Sequence, residues 1–300
     1  MASEPIFQIK KGEKCITNPK EIAETFNNYF IDQISDTQIP IASNNPTNIN
    51  SNLHSIFMQP IVPQDTKVMH FYQRIPPNNM NINHNGYAVG TVDVAKFLGI
   101  LIDSQLTWKA QAESICKRLS TSAFMLHNLS KKVDLPSVLV AYHGLVVSVL
   151  RFGVIFWGNC SEKEGIFKAQ KRCIRALFNL KVTDSCLPIF QSHKLLTFPC
   201  LYILELCIFV KTNPHLFTTL KETRNRTISI RSQYKNLLST GAFRTSLLRK
   251  SVICMAPLVY NRLPNNVKEL PLTKFKKHVI DLLLRNCYYS VQEFLDDKYY

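Results

Sequence analysis

The sequence lacks the short motifs through which many proteins bind metals, phosphates or acyl groups. It has nine cysteines but no Cys-x-x-Cys pair. It also has no Gly-rich phosphate loop, no His-Glu-x-x-His and no Gly-x-Ser-x-Gly. An odd number of scattered cysteines is typical neither of a disulfide framework nor of a zinc site. We therefore expect reduced core thiols in an intracellular protein, cytoplasmic or nuclear rather than secreted.

Acidic residues are scarce: 21 Asp and Glu stand against 36 Lys and Arg, for a formal charge of +15. Such an excess favours polyanionic partners. No N-terminal segment combines positive charge with an apolar core, so no secretory signal is expected. The apolar stretch 138–157 contains Arg151 and is interpreted as a buried helical hairpin rather than a membrane span. The stretch 195–210, interrupted by Pro199 and Glu205, is interpreted in the same way.

The first third of the chain contains several local signals. Residues 6–9 and 14–16 flank Lys10-Lys11-Gly12-Glu13, which predicts a β-hairpin with glycine at its turn. Asn18-Pro19-Lys20-Glu21 predicts the start of a helix. From 35 to 64 the chain is rich in Asn, Pro and Ser, which indicates a linker.

The stretch from Lys96 to Lys132 predicts a strand that leads into a long helix. Its apolar run 97–102 is interpreted as one short strand, in which Gly99 suits a bulge or a close backbone approach. Thr107 is the expected N-cap of the helix. Apolar residues then recur every three or four places along one helical face: Trp108, Ala112, Ile115, Leu119, Ala123, Leu126 and Leu129.

This stretch resembles the junction between palm and thumb in reverse transcriptases of non-long-terminal-repeat retrotransposons, of the jockey-like or chicken-repeat-like kind. The residues that carry the resemblance are Lys-Phe-Leu-Gly-Ile from Lys96, then Asp103, then Leu-Thr-Trp from Leu106. Further short segments that resemble the same family follow in the same order, at 141–145, 152–153, 156–159, 170–175, 201–206, 223–225, 260–264 and 288–294. Residues 22–30 resemble the segment between endonuclease and polymerase in the same elements.

The resemblance implies an RNA-directed DNA polymerase that has lost its fingers and catalytic palm. Residues 55–61 resemble the entry to the polymerase domain, and residues 66–71 resemble the strand after the catalytic hairpin. Nucleotide addition needs two divalent metals about 4 Å apart on converging carboxylates, and residues 60–290 contain no Asp-Asp pair. We expect an inactive protein without a cofactor; Mg²⁺ would bind only if the true product has an intact palm.

The remaining carboxylates are not expected to bind metal, and those of the predicted palm remnant are interpreted as solvated surface groups. Phe294-Leu295-Asp296-Asp297 matches the aromatic-x-Asp-Asp signature, but Ser290 and Glu293 form a capping box that predicts a terminal helix there. Turn or cap roles explain Asp103 and Asp134. The acidic residues of the predicted palm remnant are far apart in the sequence: Asp65, Asp93, Asp103 and Asp134.

Two groups of basic residues are candidate phosphate contacts. The first lies on a helix predicted to run from a Ser161/Glu164 capping box to about Leu180. Spacings of three and four residues place its four bases on one side, although a merely solvated face is the alternative: Lys168, Lys171, Arg172 and Arg175.

The second group lies between 223 and 268, where no Asp or Glu occurs. Tyr234 and Phe243 could stack on the bases of a single strand, whereas Tyr260 is expected to pack in the core. The loop 222–239 is expected to order on binding. The candidates for phosphate contact are Arg224, Arg226, Arg231, Lys235, Arg244, Arg249 and Lys250, and Arg262 and Lys268 are also basic.

Together these features predict a mainly α protein with minor β, a thumb-like helical bundle after a short palm-strand remnant. The expected partner is RNA or an RNA/DNA duplex, bound through its phosphate backbone, and not a membrane. A helical protein-interaction module and an unselected remnant of a mobile element are the alternatives. The predicted divisions are 1–34 (hairpin plus helix), 35–64 (linker), 65–105 (palm-remnant strands), 106–220 (helical bundle) and 221–300 (basic C-terminal region with a terminal helix).

Overall fold

A computed structural model of the chain describes residues 9–11, 14–16, 67–72, 82–84, 87–220, 237–241 and 245–297. The predicted N-terminal helix, the predicted linker and most of the predicted loop 222–239 lie outside these residues. The chain divides into two compact units, Met1–Val62 and Pro63–Tyr300.

In the first unit, strands β1 (Ile9–Lys11) and β2 (Lys14–Ile16) are antiparallel, with Ile9 opposite Ile16 and Lys11 opposite Lys14. This pairing confirms the predicted hairpin. The first strand extends to Lys11, two residues beyond its predicted end.

The second unit begins with short strands. In a three-stranded sheet, β3 (Lys67–Val68) pairs in parallel with β5 (Tyr87–Thr91), which pairs antiparallel with β4 (Ile82–His84). A separate antiparallel hairpin consists of β6 (Val94–Phe97) and β7 (Ile100–Asp103). These strands supply the minor β content that the sequence predicted.

The prediction of one strand over 97–102 is wrong, because the chain reverses at Leu98 and Gly99. Their φ angles are 47° and 87°, and positive φ at both central residues is what a two-residue type I′ turn requires. The expected close approach at Gly99 is confirmed. A Cβ atom there would lie 3.3 Å from Cε1 of Phe152.

Helices make up most of the remaining described chain. A π-helical turn, His143–Val147, joins α2 to α3, and a 3₁₀ turn, Pro214–Leu216, follows α7. The helices are α1 (Lys109–Leu129), α2 (Leu135–Tyr142), α3 (Ser148–Arg151), α4 (Val154–Trp157), α5 (Lys163–Phe178), α6 (Leu187–Ser192), α7 (Phe198–Thr212), α8 (Ser246–Lys250), α9 (Val252–Asn261), α10 (Asn265–Lys268), α11 (Leu272–Asn286) and α12 (Val291–Asp296).

Helix α7 lies at the centre of the packing. It contacts α5, α9, α11 and α12, while α1 packs along α5. One hydrophobic core extends from Ala112 on α1 to Phe294 on α12. The mainly α class with minor β is therefore confirmed.

The apolar stretch 138–157 forms one interrupted helix followed by a short one. Val138, Tyr142, Val146 and Leu150 recur every fourth residue and are buried, whereas Val140 is 73% exposed. Gly153, with φ 63°, makes the turn into α4. In the part of the chain that the structure describes, no helix is long and apolar enough to span a membrane.

Several predicted helix starts need correction. Trp108 rather than Thr107 is the N-cap of α1. The carboxylate of Asp103 accepts the backbone N–H groups of both residues. Glu162 precedes α5 without a side-chain cap, so the Ser161/Glu164 capping box is not formed.

The starts of α7 and α12 are explained by residues that the sequence analysis named. Pro199 does not interrupt its helix, because it lies in the first turn, where Thr197 accepts the N–H of Cys200. The predicted terminal helix is confirmed: Ser290 accepts the N–H of Glu293, and Glu293 accepts that of Tyr289.

Candidate nucleic-acid interface

Helix α5 has one buried and one basic side. Apolar residues at helical spacing face the core, and Phe178 at the end of the helix is only partly buried. On the other side, the four predicted bases occupy an arc of about 100° and a length of about 10 Å, by the geometry of an α-helix. The buried residues are Ile166, Phe167, Ala169, Gln170, Cys173, Ile174 and Leu177.

A buried polar network holds α5 in this rotation. Gln170 is fully buried, and its Nε2 donates to the Tyr142 hydroxyl at 3.0 Å and to the Leu196 carbonyl at 2.9 Å. Its Oε1 accepts the N–H of Phe198 at 2.7 Å. Burial raises the pKa of Tyr142 above its ordinary value, so its hydroxyl stays protonated. Because Gln170 is anchored to α2 and to the chain around the start of α7, the opposite side of α5 faces outward.

The four bases of α5 do not have equal freedom. Lys168 and Arg172 are exposed. The ammonium of Lys171 lies 4.7 Å from the centre of the Phe167 ring and 5.4 Å from that of Tyr289. The guanidinium of Arg175 donates to the carbonyl of Asp184 at 3.1 and 3.3 Å. Lys168 and Arg172 are thus the two that can turn freely toward a ligand.

No described carboxylate forms a salt bridge with any of these four bases. The nearest acid along this side of the helix is Glu164, one turn before Lys168. The face therefore keeps its positive charge largely uncompensated by its own helix.

Part of the second basic group lies close to the first. Lys250, the last residue of α8, donates to the Ser161 hydroxyl at 3.3 Å, two residues before α5 begins. Arg249 is exposed beside it. Five other predicted contacts lie outside the described residues: Arg224, Arg226, Arg231, Lys235 and Arg244.

The basic residues near the end of this region are used differently. The ammonium of Lys268 donates to the Asn261 carbonyl at 3.2 Å and lies 5.7 Å from the centre of the Tyr260 ring. Burial lowers the pKa of Lys268. Tyr260 itself packs against the core, as predicted. Lys268 is therefore a structural cation, whereas Arg262 is exposed.

Two cavities open beside the start of α5. The larger, of about 630 Å³, lies between the loop before α1, the residues before α5 and the region of α8, and Lys250 lines it. The smaller, of about 290 Å³, is lined by Lys163, Lys168 and Lys171. Sequence reasoning missed Lys163. Its place on the helical wheel is far from that of Lys168, so only the tertiary structure shows their shared cavity.

Asp103 and Asp134 have the turn and cap roles that were predicted for them, and Asp65 lies outside the described residues. Asp103 accepts the N–H groups of Thr107 at 2.8 Å and Trp108 at 2.6 Å. Asp134 caps α2, and its hydrogen bond with the Ser137 side chain lowers the pKa of its carboxyl. Among the described residues, no group of three His, Cys, Asp or Glu side chains is arranged to hold a metal ion.

No family model matches this chain, and no curated protein or solved structure has significant similarity to it. The resemblance to reverse transcriptases therefore stays a prediction from short sequence segments. The function is inferred from the basic face of α5 and the cavities beside it.

Proposed function

We propose that this chain is a catalytically inactive fragment derived from a retrotransposon reverse transcriptase, and that it binds the phosphate backbone of RNA or an RNA/DNA duplex. The observation that carries the proposal is the outward side of α5, where Lys168 and Arg172 are exposed and lack ion pairs with described carboxylates. Like charges at such spacing repel one another by about 0.2–0.5 kcal/mol per pair unless an anion offsets them.

The dimensions of the face suit a nucleic-acid backbone. Its length of about 10 Å matches roughly three base-pair steps along the axis of a duplex, at about 3.4 Å of axis per phosphate of one strand in B-DNA. Lys250 adds a cation beside the start of the same helix. Phosphate contacts of this kind position a duplex without reading its sequence, so binding is expected to be strong at low salt and insensitive to sequence.

The salt dependence of binding tests the proposal. For a labelled RNA/DNA hybrid of about 16 base pairs, the logarithm of the association constant should fall linearly with the logarithm of salt concentration. Each lost phosphate contact lowers the slope by about 0.9. The double substitution Lys168→Glu and Arg172→Glu should therefore reduce the magnitude of the slope by about 2, as measured by fluorescence anisotropy.

A matched control separates local contacts from overall charge. Lys274→Glu with Lys277→Glu changes the net charge equally on α11, where both lysines are exposed. This control should keep a slope close to that of the wild type. Equal losses in both double variants, or a flat salt dependence of the wild type, would contradict the proposal.

A second candidate, a protein-interaction module, is favoured by a different observation. Around the β6–β7 hairpin, Phe97 is 63%, Leu98 79% and Phe152 53% exposed. Exposed apolar groups that lie together are typical of protein contacts. A complex with one stoichiometric protein that survives nuclease treatment and dissociates on Leu98→Asp substitution would support this candidate over the first.

A further inference from the structure

The smaller cavity beside α5 is built from three segments that are distant in sequence. The start of α5, the start of α7 and the residues at the start of α12 supply its walls. Phe198 stacks on Trp157 with ring centres 5.7 Å apart and planes only 8° from parallel. Phe167 meets Tyr289 edge-on at 4.9 Å. The aromatic walls are therefore held in place by neighbours that are themselves packed.

The walls and the rim differ in chemistry. Phe167, Phe198 and Tyr289 line the cavity together with Lys168 and Lys171. Of the three aromatic residues, Tyr289 is partly exposed and the other two are buried. Lys171 is held there by its contacts with two of the rings. A cavity with an aromatic lining and cations beside it suits a planar group that carries an anion.

The size of the cavity limits the occupant further. About 290 Å³ is near the lower end of the volumes of ligand pockets, which begin at about 300 Å³. One ring system fits such a space, and a stretch of strand does not. Glu164 lines the same cavity, but the three lysines there, Lys163, Lys168 and Lys171, outnumber it, so the cavity favours an anion.

We infer that this cavity takes a single unpaired nucleobase of a bound strand, with the adjoining phosphate held by Lys168 and Lys171. The inference rests on the proposed function and narrows it: the preferred partner is a duplex with an unpaired nucleotide at an end or bulge. Stacking of bases on aromatic side chains is tolerant of sequence, and unpaired bases are the ones that proteins can insert between side chains.

The test compares a blunt RNA/DNA hybrid with the same hybrid carrying one unpaired nucleotide. Wild-type protein should bind the overhang at least about fivefold more tightly, the lower end of base–aromatic stacking. Val291→Trp, which places an indole in the cavity without changing charge, should reduce this ratio to about one. Gln292→Trp, on the neighbouring exposed position of α12, should keep the ratio.

A second pair of variants covers the case in which Val291→Trp does not fold. Lys168→Gln should lower the ratio, because Lys168 lines the cavity. Arg172→Gln removes the same charge from the same helix outside the cavity, so it should weaken both complexes equally. Equal effects of the two on the ratio would overturn the inference.

The outcomes separate this inference from the proposed function. A wild-type ratio of one with salt-dependent binding of both hybrids overturns the cavity assignment alone, whereas no binding of either hybrid overturns both. A labelled nucleoside monophosphate has the same chemistry as an unpaired nucleotide. It should bind at least about a hundredfold more weakly than the hybrid with the overhang, because it lacks the other phosphate contacts. Equal affinity would show that the cavity binds free nucleotides and would overturn the inference that its ligand is part of a strand.

Discussion

The β6–β7 hairpin and the helical core around α7 are both rich in apolar residues, but they bury them very differently. In the hairpin, Phe97 is 63% and Leu98 79% exposed. Around α7, Trp157 and Phe275 are fully buried. A high content of apolar residues therefore gives an exposed surface in the hairpin and a buried core around α7.

The difference follows from the number of elements that pack together. Helix α7 has helices against several of its sides. The hairpin is a two-stranded sheet, and two strands alone cannot enclose a core. The apolar side chains at the turn of the hairpin, Phe97 and Leu98, therefore contribute little to the core and remain available for surface contacts.

The largest expected effect is the same substitution made in both regions. Phe275→Ala should lower the free energy of unfolding by about 3–5 kcal/mol, because it leaves a cavity in a packed core. Phe97→Ala should change it by less than about 0.5 kcal/mol, as at exposed positions generally. Urea denaturation measures both, and equal losses would show that the hairpin is part of the cooperative core.

A smaller effect is expected inside the core at Gln170. Gln170→Leu leaves the Phe198 N–H, the Leu196 carbonyl and the Tyr142 hydroxyl without this partner. The cost should be about 2–3 kcal/mol, the penalty of unsatisfied buried groups. Gln191→Leu on the exposed side of α6 is the control and should have little effect. If the Gln170→Leu variant is as stable as the control, the hydrogen bonds of Gln170 do not stabilise the position of α5.

The smallest effect is expected at Tyr289, whose buried hydroxyl lacks a hydrogen-bond partner among the described residues. Near pH 8, Tyr289→Phe should change stability by less than about 0.5 kcal/mol, because no hydrogen bond is lost.

At alkaline pH the same variant should differ from the wild type. Burial raises the pKa of Tyr289 from 10.0 to about 12. Between these values the unfolded chain has lost the proton that the folded chain retains, so stability falls as pH rises. Tyr289→Phe should therefore lose stability less steeply than the wild type when denaturation is followed from pH 10 to 11.5. Identical slopes would mean that Tyr289 titrates normally.

Helix identity and facing could be predicted from the sequence because they depend on local periodicity. The stripes of α1, α5 and α11 face the core much as their spacing indicates, since an apolar face at helical spacing has to be buried. The caps at Asp134 and Ser290 follow from residues three positions apart. The starts of α1 and α5 could not be predicted, since Asp103 accepts the N–H groups before α1, and the Ser161 hydroxyl accepts from Lys250 instead of capping α5.

The sequence by itself determined that the chain is basic, mainly helical, and carries four bases on one side of α5. Composition and helical spacing suffice for these properties. The tertiary structure decided which of these bases face solvent, since rings hold Lys171 and the Asp184 carbonyl holds Arg175. It also decided that Lys163 and Tyr289 share a cavity with Lys168, because residues more than a hundred positions apart meet only when the core closes around α7.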